Sequence, residues 1–448
     1  MSGEELGRIV VEPPGPRSLE LMGRLREVEA SNITFSSEQF PVFFERGAGA
    51  NLVDVDGNTY VDLTAAFGVA ATGHSNPHVV QAVADQARLL FHGIGDVHPN
   101  EVKVALAEKL CSLAPGDGPK RVILSSTGAE AVESALKTAT LASGKPGVLC
   151  FTGAYHGLTY GALEVTDREF FRKPFARQLG GFATRVPYAY CYRCPLELTY
   201  PSCEAACLSL VEEAMDSPAG ETIGAVIVEA IQGRGGDVDA PFDWLLDLRE
   251  LCDRRKLLLI VDEVYTGFGR TGRWFACEHA GVVPDLLCVG KGMASGFPIS
   301  ACIGSEAVME AWPESQGEAI HTSTFLGHPT GCAAALASIG EIERHGLVER
   351  AASHGEYLGN LLKAAAKQVG PVIGDVRGCG LMWGVELVHD QREPDAQRAS
   401  RAVTGALRRG TVVLAGGPAN NVLSLSPPLV ITREQLAFGV ETIVEALA

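Results

Sequence analysis

One lysine of this chain stands between two glycines at the end of an apolar run, Leu286-Leu287-Cys288-Val289-Gly290-Lys291-Gly292. Lysines are seldom carried into a core without a reason. Desolvation there lowers the ammonium pKa, and a neutral amine attacks carbonyl carbon. The structural alternative is a lysine snorkelling at a sheet rim. A second apolar run ends in Val261-Asp262-Glu263-Val264. Side chains alternate along a strand, so Asp262 and Glu263 are expected to face opposite ways. A buried Asp262 needs a cation, which a protonated pyridine nitrogen or a salt-bridge partner would supply. Ser125-Ser126-Thr127-Gly128-Ala129-Glu130 carries the capping-box spacing of Thr127 and Glu130. It follows an apolar run and opens a helical pattern, and free N–H groups at such a helix start stabilise an anion. Alone, it reads as a plain capped helix. In Gly153-Ala154-Tyr155-His156-Gly157, Tyr155 can stack on a flat ligand with His156 beside it. A turn with a packed aromatic is the alternative.

These residues need a frame that brings strand ends together. Apolar runs at 121–124, 148–151, 225–228, 257–261, 286–289 and 300–303 alternate with helical stretches. Runs apolar on both faces suit a sheet covered by helices. Alternation of strand and helix implies right-handed crossovers and a mostly parallel sheet, with functional groups at the carboxyl ends of its strands. The expected organisation is an α/β chain in three parts. Residues 1–71 form an N-terminal segment that joins the small domain. Residues 72–340 form the large domain, and residues 341–448 a C-terminal α+β domain. Within the first part, 51–55 and 59–63 alternate around Asp56-Gly57 and read as a hairpin. Helices are expected near 19–30 and 434–447, and short strands near 374–387 and 411–414.

The 448 residues carry 37 basic and 54 acidic side chains, a net charge of −17. That balance argues against nucleic acid and against an anionic membrane surface as partners. No apolar stretch approaches the ~20 residues of a membrane helix, and residues 1–21 do not read as a signal peptide. Twelve cysteines in such a chain read as cytoplasmic thiols rather than a disulfide framework. Four of them, Cys191, Cys194, Cys203 and Cys207, lie in one segment at a spacing that suits either tetrahedral zinc or plain thiols in a compact loop.

Taken together, the order Thr127-Gly128-Ala129-Glu130, Tyr155-His156-Gly157, Glu229 with Gln232-Gly233, Asp262-Glu263-Val264, Thr266 to Gly272, Lys291-Gly292 and Ser323-Thr324-Phe325 resembles the class III aminotransferases. These are pyridoxal-5′-phosphate (PLP) enzymes of fold type I, with a seven-stranded-type sheet. The resemblance runs from about residue 40 to the end. It implies Lys291 as the Schiff-base lysine and proton shuttle, and Asp262 as the partner of the pyridinium nitrogen. It implies Tyr155 and Val264 on the two ring faces, His156 beside the ring, Gly128 and Ala129 at the phosphate, and Glu229 near the ring. Thr324 would reach the phosphate of a neighbouring subunit, so a homodimer with its active site at the interface is implied.

Four positions depart from the family pattern where substrate binds. Leu158 stands in place of an Arg, Tyr265 in place of a Gln, Arg234 in place of a Glu, and Ser424 in place of that Glu's Arg partner. The Glu–Arg switch is thereby replaced by a fixed cation, so Arg234 and Tyr265 are the expected substrate contacts. A solvent-facing Arg234 is the alternative. The reaction expected is amino transfer between an amine or amino acid and a 2-oxo acid. Racemisation, decarboxylation or elimination within the same family, and a non-catalytic scaffold, are the other readings.

Overall fold

The runs that read as doubly covered strands lie side by side in one sheet of the computed structural model, which describes residues 2–35, 37 and 40–448. Across the sheet the order is Lys120–Ser125, Ser300–Ser305, Leu286–Val289, Leu258–Asp262, Ile223–Val228, Gly147–Phe151 and Ala183–Val186. Neighbours pair in parallel except for Ser300–Ser305, which runs antiparallel to both of its partners. The edge strand Ala183–Val186 escapes the apolar pattern because it is short, half-buried on three of four residues, and contains Arg185. The central strands are buried at every position of Ile223–Val228, Leu286–Val289 and Gly147–Phe151. That is the physical reason they show no alternation.

The helix Gly128–Ser143 covers one face through Ala131, Val132, Ala135, Leu136 and Ala139, all buried. Its Thr127–Glu130 capping box forms as the spacing requires. On the other face, Trp244, Leu245, Leu248 and Leu251 of Phe242–Arg255 enter the main core.

The expected hairpin pairs Asn51–Asp54 with Thr59–Asp62, in the register Asn51 to Val61 and Leu52 to Tyr60. Phe44–Ala48 and Thr411–Val412 extend it to four strands, the latter pairing in parallel with Thr59–Asp62. The N-terminal and C-terminal parts of the chain therefore share a sheet. A third sheet, in the order Ile373–Cys379, Met382–Leu387, Val422–Leu425 and Leu414–Gly416, is antiparallel throughout. The terminal helices are Pro16–Val28 and Arg433–Leu447. Among the described residues, no helix is long and apolar enough to cross a membrane.

Candidate active site

The parallel strands converge at their carboxyl ends on a cavity of roughly 300 Å³. Gly128, Ala129, Tyr155, His156, Leu158, Glu229, Arg234, Asp262, Val264, Tyr265, Lys291 and Ser424 all line it. Most come from the turns that follow the strands of the large sheet, the arrangement expected where helices cover both faces of a parallel sheet, and Ser424 comes from the strand Val422–Leu425 of the third sheet. Thr324 does not line it; it is exposed in a turn before the helix Pro329–Arg344.

Lys291 follows the strand Leu286–Val289 and adopts φ +40°, a conformation seldom taken by a residue with a side chain. Its Nζ lies 4.0 Å from the centroid of the Tyr265 ring. Burial pushes the ammonium down to about 8, against the opposing pull of Asp262 and Glu229. Asp262 and Glu263 do face opposite ways. Asp262 enters the cavity, accepting from the Val264 N–H at 3.0 Å and lying 2.8 Å from His156 Nδ1. Glu263 turns into the core, where it accepts from the Cys277 N–H at 2.8 Å and from the Thr266 hydroxyl. The protein partner of Asp262 is thus His156, which has no exposed side-chain surface. Burial works against the imidazolium, but the Asp262 carboxylate outweighs it and raises the His156 pKa.

Glu229 is also buried and ties two turns together. It accepts from the Tyr155 N–H at 3.0 Å and the Gly233 N–H at 3.1 Å. Burial lifts its carboxyl to about 7, although His156 and these two N–H groups pull the other way. Arg234 sits at the tip of a small hairpin formed by Ile231–Gln232 and Val238–Asp239. Its guanidinium carbon lies 5.4 Å from the Tyr155 ring centroid, 5.7 Å from Phe67 and 6.0 Å from Phe171. These distances suit cation–π attraction. The cation therefore faces the cavity on an aromatic cradle rather than extending into solvent. Tyr265 directs its hydroxyl to Ser426 Oγ at 2.8 Å. A Cβ at position 233 would lie 2.4 Å from the Tyr265 ring, so only glycine allows that ring to close the wall.

The residues suit PLP. Asp262 presents a carboxylate at the cavity floor, and Tyr155 and Val264 line the walls. Gly128 opens a helix whose first N–H groups have no intrahelical acceptor. A Cβ on Gly128 would lie 2.8 Å from Val264, so glycine keeps this corner open.

Sequence reasoning did not pick out Thr64, Phe67, Leu414, Ala415, Gly416 or Ser426, which also line the cavity. Phe67 lies in a run of four consecutive residues with positive φ, Ala65 at 45°, Ala66 at 51°, Phe67 at 62° and Gly68 at 76°. A glycine stands only at the end of that run, after three residues that carry side chains. Cys191, Cys194, Cys203 and Cys207 gather around a small separate cavity with Pro195, Tyr200 and Trp244. Among the described residues, no group of three or more His, Cys, Asp or Glu is placed to hold a metal ion.

Residues 33–447 match the family described as Aminotransferase class-III. The chain is 38% identical over 454 residues to a 4-aminobutyrate aminotransferase of Mycobacterium leprae, covering 98% of each. It is 35% identical to an alanine/serine racemase of Pyrococcus horikoshii, over 99% of this chain and 93% of that one. A solved amine transaminase from an uncultivated Pseudomonas species, in its PLP-bound form, superposes with a TM-score of 0.86 at 32% identity. It covers 94% of this chain and 98% of that one. With a cavity that suits the cofactor, a fold-type-I architecture and a match across nearly its whole length, this chain belongs to the class-III PLP-dependent aminotransferases.

Proposed function

We propose that this aminotransferase acts on amines that bear a carboxylate, with Arg234 as the carboxylate anchor and Lys291 as the residue that holds the cofactor and moves the proton. The observation that carries this reading is the Arg234 guanidinium at the cavity wall, within 6.0 Å of three aromatic ring centroids. Ser424, at the same cavity, leaves it without the arginine partner position of the family's switch. A planar guanidinium binds a carboxylate through two parallel N–H···O bonds.

PLP, when bound, supplies the electron sink that lets an amino group and a proton be moved. Asp262 would hold a negative charge opposite the ring nitrogen, its orientation fixed by His156 and the Val264 N–H. Tyr155 and Val264 would enclose the ring, and Gly128 and Ala129 would hold the phosphate. Lys291 Nζ, with its proton affinity lowered by burial, accepts and returns a proton near neutral pH. Tyr265 walls the site beside Lys291 and keeps water from that face. Glu229 keeps the Tyr155 and Arg234 turns in register.

The reading includes a homodimer. Thr324 lies away from its own chain's cavity, and apolar side chains are exposed around its loop. Phe325 is 58% exposed, Phe91 67%, Ile94 59% and Val97 63%. The Phe325 ring stands 5.4 Å from His92. A second copy of this chain would cover them and bring Thr324 to the neighbouring site. All twelve cysteines are free, which suits the cytoplasm.

A second reading, α-amino-acid racemisation, is favoured by the 35% identity to the alanine/serine racemase. The deciding experiment is turnover of an amino acid with and without a 2-oxo acid. Amino transfer stops without the oxo acid; inversion at the α-carbon continues without it and would overturn the reading.

A further inference from the structure

The turn that carries Arg234 is fastened at both ends. At its start, the Gly233 N–H donates to Glu229. At its end, the Gly236 carbonyl accepts two hydrogen bonds from Arg377, from Nε at 3.1 Å and from Nη2 at 2.6 Å. The Arg377 side chain is only 6% exposed and lies over the Tyr190 ring, 4.9 Å from its centroid. Its Nη1 donates to Glu386 at 2.8 Å and to Asp375 at 2.9 Å. Glu386 is buried as well. It accepts from Arg193 Nε at 2.7 Å and Nη2 at 2.6 Å, and from the Tyr190 hydroxyl. Tyr190 and Arg193 belong to the segment that holds the four clustered cysteines. A continuous series of charge-assisted hydrogen bonds thus runs from that segment, through Glu386 and Arg377, to the carbonyl two residues beyond Arg234.

We propose that Arg193, Glu386 and Arg377 are positioning residues for substrate recognition, and that the cysteine-bearing segment is part of the specificity apparatus through them. The inference rests on the reading of Arg234 as the carboxylate anchor. Its physical basis is the two-point grip on Gly236. Charge-assisted bonds to a single carbonyl fix the local peptide plane, and a misplacement near 1 Å at a binding group costs far more than the bonds themselves. Arg193 is the accessible end of the series. Its side chain is 32% exposed, and its removal leaves Glu386 paired with Arg377.

The experiment compares Arg193→Met, Arg377→Lys, Arg234→Ala and the double variant Arg193→Met/Arg234→Ala as holoenzymes. Two quantities are read. One is the dissociation constant of glutarate, an unreactive carboxylate, by calorimetry. The other is the half-saturating concentration of one carboxylated and one uncarboxylated amine. Arg193→Met is expected to weaken glutarate and the carboxylated amine by about three- to tenfold, with much less change for the uncarboxylated amine. Arg377→Lys should do the same or more. In the Arg234→Ala background, Arg193→Met should add nothing, because the anchor it positions is gone. A selective loss in Arg234→Ala with none in Arg193→Met overturns the positioning proposal alone. So does an Arg193→Met effect that persists undiminished without Arg234, or that falls equally on both amines. No selective loss in Arg234→Ala overturns the anchor reading and the proposal with it. Arg193→Met alone decides the matter if Arg377→Lys does not fold.

Discussion

Replacing Arg234 by alanine removes the guanidinium that the cavity presents beside Tyr155, Phe67 and Phe171. The size of the effect follows from its surroundings. Arg234 is half-buried, so its bond to a substrate carboxylate is stronger than an exposed pair, worth 0–1 kcal/mol, and weaker than a fully buried one, worth about 3–5 kcal/mol when broken. Three aromatic ring centroids lie within 6.0 Å of its guanidinium carbon. About 2 kcal/mol is therefore expected, which is about 30-fold in kcat/KM for carboxylated amines. Amines without a carboxylate should lose much less, since they leave no charge unpaired. The assay is steady-state kinetics with a matched pair of amines that differ only in the carboxylate. Equal losses for the pair, or no loss for either, would refute the argument and return Arg234 to the role of a packing residue over Tyr155.

Lys291→Ala should fold and still bind PLP, but without the visible absorption band of the lysine-bound cofactor; a borohydride-trapped adduct in that variant would show that another lysine serves. Asp262→Asn is expected to lower turnover by about 100-fold or more, the scale of losing one preorganised electrostatic partner. Near-normal rates would count against its assignment opposite the ring nitrogen. Asp237 tests the reading of burial, since burial pushes its pKa up to about 8 against the opposing pull of the Ser424 hydroxyl and Arg377. The native state then holds a proton that the unfolded chain releases above about pH 4, so this group costs stability progressively as pH rises from about 4 to 8. Asp237→Asn, which keeps the shape of the protonated acid, should raise the melting temperature at pH 7–8 and lose that advantage near pH 4. A melting temperature unchanged at both pH values would contradict a protonated Asp237.

The sheet and the cofactor pocket were legible because both rest on local pattern. Fully buried strands read as continuous apolar runs, and the residues at their carboxyl ends read as polar interruptions of those runs. Asp262, Glu229 and Lys291 come together because parallel topology places consecutive strand ends on one side. The edge strand at 183–186 was not legible, since an edge strand half in solvent carries no apolar run. Neither was Phe67, because three of the four left-handed residues in Ala-Ala-Phe-Gly carry side chains that ordinarily avoid that conformation. The wall formed by Leu414 to Gly416, and the grip of Arg377 on Gly236, join residues far apart in sequence with no local signature of their contact. His156 was expected beside the cofactor; its bond to Asp262 depends on the exact placement of two strand ends, which sequence spacing does not specify.

The most direct test of the account follows the absorbance of the bound cofactor as a single carboxylated amine is added without any oxo acid. Stoichiometric conversion to pyridoxamine phosphate, reversed by a 2-oxo acid and absent in Lys291→Ala, is the predicted result. Cofactor that keeps its original spectrum while the amino acid inverts at its α-carbon would contradict the claim of amino transfer.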